Sequence, residues 1–174
     1  MTDREMAAEL EPAGFRFVER ALEDVRRPAL PPGYGPASAG PEHGRFDSRA
    51  DETADVDDPG MANKVNTSWY RMAVDYGLFS RDGEFFLAVD SAPGDEDVDG
   101  GHRGWVRVRL LDEWDLVRSE VEQLRSPMGG LLSERFVPEF TVVSLDGRVL
   151  MNTTVWGNGT VSTIAIRPGQ ATAV

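Results

Sequence analysis

The 174-residue chain carries 30 acidic against 18 basic side chains, a formal charge of -12, and no cysteine. That length suffices for one domain with a real core. The composition excludes disulfides, thiolate nucleophiles and cysteine-based zinc sites, and it argues against general binding to nucleic acid or anionic membrane, where affinity comes from neutralising phosphate.

No apolar run approaches the ~18 residues that span a bilayer, so a cytoplasmic location is expected, or a virion if the protein belongs to a phage. The chain divides by composition into an N-terminal unit (1–27), a linker (28–60) and a folded domain (61–174). In the first unit Phe15, Val18, Leu22 and Val25 fall 3, 4 and 3 residues apart, which predicts an amphipathic helix with Pro12 in its first turn. Residues 2–11 then form a separate short helix or a frayed end. Residues 28–60 are rich in Pro and Gly and then in acid, too poor in apolar side chains to offset their ordering entropy. They predict a flexible arm that carries the helix.

From Met61 to Val89 the reading is divided, because over 63–77 Val65, Trp69, Met72 and Tyr76 match a helix while Tyr70, Met72, Val74 and Tyr76 match a strand; the helix, which Gly77 can end, is favoured by a small margin. Residues 84–89 and 105–111 read as two strands of a long-loop hairpin. Asp112 suits the N-cap of a further helix with Trp114, Val117, Val121 and Leu124 along one stripe, stopped by Ser126-Pro127. Residues 128–138 read as a connector with at most one helical turn.

The last stretch is the most structured. Asp146-Gly147 and Asn158-Gly159 are two-residue hairpin signals, since both centres of a type I′ turn need positive φ. Turns centred there pair Val142 with Met151 and Phe140 with Thr153, and then Met151 with Ile166 and Thr153 with Ile164. That register places Phe140, Val142, Val149, Met151, Val155, Ile164 and Ile166 on one face of a three-stranded meander. The other face is still partly apolar, with Leu150 and Trp156 among its members.

Three constellations bear on chemistry. Asp95, Asp97, Asp99 and Gly100 match the first half of an oxygen-ligand calcium loop, but the twelfth position is Val106 where a bidentate Glu belongs. Calcium is therefore a minor expectation, and no other cofactor is expected. Arg107 and Arg109 share one strand face beside Trp105, where they can grip a carboxylate or phosphate or pair with the protein's own carboxylates. Together with Trp69 they outline a candidate ligand pocket. No nucleophile elbow, phosphate loop or dinucleotide motif is present.

The fold expected is α+β: a mostly antiparallel sheet ending in the meander, helices on one face and a flexible N-terminal arm. The function expected is a non-catalytic interaction or assembly module that binds a protein partner or its own copies, for example as a subunit of a phage virion. Phe15, Val18, Leu22, Val25, Leu150 and Trp156 are its candidate contact residues. The alternative is a small-molecule-binding or enzymatic cone built round the tryptophan-lined pocket.

Overall fold

The computed structural model describes residues 1–28, 52–89 and 104–166. The described residues form an α+β fold built on one seven-stranded antiparallel sheet. In chain order the elements are α1 (Asp3–Leu10), β1 (Phe15–Arg20), β2 (Thr53–Asp55), α2 (Met61–Tyr76), β3 (Glu84–Val89), β4 (Gly104–Leu110), α3 (Gly129–Leu132), β5 (Phe140–Val143), β6 (Leu150–Val155) and β7 (Thr160–Ile166). The strands lie in the order β1-β4-β3-β5-β6-β7-β2.

Local chemistry accounts for the helices. The Thr2 hydroxyl accepts from the Glu5 N–H, and the Glu5 carboxylate accepts from the Thr2 N–H, a capping box that starts α1. Helix α2 buries Met61, Val65, Trp69, Met72 and Ala73, a helical repeat, and ends at Gly77 as expected. Both helices share a core with the sheet's inner face, where Phe15, Phe85, Leu87, Val106, Val108, Phe140, Val142 and Met151 are buried.

The helix expected around Phe15 is instead the edge strand β1, with Phe15 opposite Leu110 and Phe17 opposite Val108. Phe15 is wholly buried among core rings, whereas Leu22 of the supposed apolar stripe is 97% exposed. Pairing to β4 satisfies the backbone of 15–20, and burial of Phe15 outweighs a weak helical periodicity. After β1 the chain crosses to the outer face, where Val25 and Ala21 pack with Trp105, Val143, Leu150, Ile164 and Ile166. Of the expected linker, 29–51 lies outside the described residues. Its last part supplies β2, hydrogen-bonded to β7.

The helix expected after Asp112 is also absent. Its stripe still reaches the core, with Val117, Val121 and Leu124 buried and Trp114 packed at the margin, but the backbone follows another path. The Asp115 N–H donates to the Ala13 carbonyl and the Leu116 N–H to the Asn66 side chain. Glu120 adopts a φ of 51°. Donors that a helix would use internally are spent on neighbouring segments.

The C-terminal meander forms, with one register as expected and one displaced. Val142 faces Met151 and Phe140 faces Thr153. In the second hairpin Met151 faces Ala165 rather than Ile166, and Thr153 faces Thr163 rather than Ile164. Ile164 and Ile166 therefore lie on the outer face, and the single apolar face expected for the meander is split between two. The cause is turn geometry.

Neither hairpin uses a type I′ turn, because positive φ falls on Gly147 (71°) and Gly159 (82°) and not on Asp146 or Asn158. In the first, the Ser144 N–H donates to Val149 O, leaving the four residues 145–148 as loop; in the second, the Trp156 N–H donates to Thr160 O, leaving the three residues 157–159. An even loop keeps the assumed centre. An odd loop, a type I turn followed by a left-handed glycine, moves it by half a residue and inverts every side chain of β7.

The edge strand and the helical stripe make opposite demands on position 15. Phe15→Ala is expected to cost about 3–5 kcal/mol and Leu22→Ala less than ~0.5 kcal/mol, as read by denaturant unfolding. Comparable losses at both sites would restore the helical reading.

Candidate functional site

The four residues of the expected pocket do not converge. Trp69 lies on the inner face and is fully buried, with rings of Phe15, Phe79, Phe85, Trp114 and Phe140 at 5.7–6.2 Å. Trp105 belongs to the outer cluster, and Arg107 and Arg109 share its side of β4 by strand alternation. The sheet itself stands between the two halves.

The arginines are engaged by the protein's own carboxylates. Glu84, opposite Arg109 on β3 and 8% exposed, lies 3.0 Å from Arg109 and 3.4 Å from Arg107. Glu19 on β1 approaches Arg107 at 3.3 Å. The result is an alternating arginine and glutamate ladder across three strands, which stabilises the sheet through cross-strand pairs.

Among the expected contact residues, Phe15, Val25 and Leu150 are buried in the chain's own core. Val18 and Trp156 are half-buried, and the Trp156 indole N–H donates to the Ser162 hydroxyl at 2.7 Å. Only Leu22 is fully presented to solvent. Asp95, Asp97 and Asp99 lie outside the described residues. Among the described residues no group of three His, Asp or Glu is placed to hold a metal ion.

The segment 126–137, which takes in most of the expected connector 128–138, holds what the sequence reading missed. Its neck is closed by the Ser126 N–H donating to Val137 O and by the Glu139 N–H donating to Leu124 O, which makes it a compact Ω-type loop. The Ser126 hydroxyl accepts from the Gly129 N–H and donates to Glu139, whose other oxygen accepts from the Thr154 hydroxyl. On the far side the Ser133 hydroxyl donates to Asp57, and Arg135 donates to the Asp58 carbonyl. Gly129 sits against Val137, whose Cβ would lie 2.7 Å from any added Cβ.

This anchoring presents a short apolar knuckle. Leu131 is 79% exposed, Met128 54% and Leu132 37%, on a turn whose backbone is bonded internally through Leu131 N–H to Met128 O and Ser133 N–H to Gly129 O. The only sequence signal was an apolar pair, Leu131-Leu132, placed after two glycines in a stretch with no core periodicity.

A second polar hub ties α2 to the segment that follows β4. Asp115 accepts from Asn66, from the N–H groups of Val117 and Arg118, and from the Arg118 guanidinium. Partial burial pushes its pKa up, but those hydrogen bonds outweigh that effect and hold the carboxyl below its usual value. Asp146 is likewise held low, first by the Ser144 hydroxyl and then by the Arg148 N–H. No family model, curated protein or solved structure matches the chain.

Two tests follow from this anchoring. Carboxylates held low in the fold stabilise it above their unfolded pKa of about 3.9, and that stability is lost as pH falls through the lower folded value. Wild type should therefore lose stability progressively below about pH 4, and Asp115→Asn, already lacking the hub's charge, should show a shallower acid limb in pH-dependent thermal unfolding. Gly129→Ala should cost about 1–3 kcal/mol by forcing Val137 aside. A neutral effect would mean that the loop is not held as described.

Proposed function

We propose that the protein is a non-catalytic interaction or assembly module, and that its contact element is the knuckle of Met128, Leu131 and Leu132. The observation that carries this reading is the pairing of exposure with rigidity: Leu131 is 79% exposed on a loop whose backbone and neck are closed by hydrogen bonds. Apolar side chains held in place in advance lose little entropy on docking, so more of their burial energy appears as affinity. Polar side chains flank the knuckle along the chain, with Arg125 paired with Glu122 at 2.8 Å on one side and Arg135 bonded to the Asp58 carbonyl on the other. An apolar centre within a polar rim is the anatomy of a protein contact.

The partner is a protein surface with a concave apolar pocket, on another protein or on a further copy of the chain. Three side chains cover too little area to anchor a stable dimer alone, since specific interfaces bury roughly 800 Å² per partner. The knuckle therefore acts as an anchoring knob within a wider contact, which is how repeated subunits of a particle such as a virion would use it.

The test is site-specific crosslinking from position 131 in extracts of the source cell, combined with light-scattering mass of the purified chain at rising concentration. Leu131→Asp is expected to remove the crosslinked species or the assembled mass, weakening the contact at least ~10-fold, while the melting temperature stays unchanged because the side chain is exposed. A complex that survives both Leu131→Asp and Met128→Asp would overturn the assignment.

A further inference from the structure

We infer that Tyr70 forms a docking platform for a proline-rich peptide, and that its occupant is the uncharged stretch Ala29 to Pro36 (ALPPGYGP) of a second copy. The inference extends the interaction reading to a surface on α2. Tyr70 is 42% exposed, yet its ring is fixed from behind, stacked on Trp114 at 5.3 Å with an interplanar angle of 24° and tilted against Phe79 at 5.9 Å. Trp114 in turn rests on the buried Trp69 at 5.7 Å. The platform is thus an extension of the core that stops at the surface with one flat face outward.

One turn along α2, Val74 is 54% exposed and prolongs the apolar strip. In the other direction lie Asn66 and Asn63, joined to the 115–118 segment through Asp115 and Arg118. Among the described residues the Tyr70 hydroxyl has no hydrogen-bond partner.

Flat aromatic faces pack against pyrrolidine rings, and a proline-rich segment offers unpaired carbonyls with little entropy left to lose. In a chain of net charge -12, residues 28–41 contain no charged side chain. This stretch can approach an apolar platform without desolvating charge or bringing acid against acid. It follows the described Pro28 directly, and residues 37–51 separate its other end from the described Glu52, so the slack that lets it seat on a neighbouring copy lies on its C-terminal side.

The experiment titrates the free peptide ALPPGYGP into the full chain and follows the Trp114 indole and α2 amide resonances. Binding should shift both, and Tyr70→Ala or Val74→Asp should weaken it at least ~10-fold. Val74→Asp, changed at an exposed position, keeps the test valid if Tyr70→Ala fails to fold. A peptide with alanine at every proline should not bind. The inference is overturned if no shifts appear by ~1 mM, an affinity of only about 4 kcal/mol, if both variants bind as wild type does, or if the alanine peptide binds equally well. Because free peptide is the probe, failure here leaves the knuckle reading intact, and loss of the knuckle's partner leaves this titration unaffected.

Discussion

The packing of Trp69 against the middle of the sheet is the contact on which the remaining architecture depends. From one turn of α2 this side chain meets Phe15 of β1, Phe85 of β3 and Phe140 of β5, joining strands that come from both ends of the chain. Tilted and edge-on aromatic contacts add to the area buried, and they surround an indole N–H that finds no acceptor among the described residues. Helix position, the seating of the edge strand and the ring stack that surfaces at Tyr70 all refer back to it.

The two sides of the sheet are built differently because they answer to different partners. The inner side is almost wholly apolar beneath α1 and α2. The outer side mixes an apolar cluster under Val25 with the Glu84 ladder and with buried Asn152, Thr154 and Ser162. The Asn152 side chain accepts from Thr141, so the polar positions on that side are joined by hydrogen bonds. The edges are blunted as soluble sheets require: β1 by an irregularity between Phe17 and Glu19, and β2 by its length of three residues and its acidic end.

What the sequence disclosed followed the range of the interaction concerned. Gly77, the β3–β4 pairing and the first hairpin of the meander were legible because each is decided within a few residues or by strict alternation. The second hairpin was half legible: Asn158-Gly159 marked the turn, but whether its loop holds two residues or three is a backbone choice that the dipeptide does not specify. Phe15 and the segment after Asp112 misled because their periodicity was genuine and their apolar side chains do reach the core. What decided their conformation was the offer of hydrogen bonds from β4, Ala13 and Asn66, which no local pattern contains. The knuckle went unread for the opposite reason, since exposure carries no periodic signature.

The strand order has a consequence for how such a chain is made. Among the described residues both edges of the sheet come from the first 55 positions, and β1 pairs with β4 and β2 with β7, which closes at Ile166. A polypeptide emerging from the ribosome must therefore hold β1 unpaired until Leu110 has been synthesised and β2 until Ile166 has. Sheet closure is then a late, non-local event, slow by topology alone and exposed to wrong pairing meanwhile. Charge on the early segments and brevity in β2 are properties that keep a waiting strand soluble.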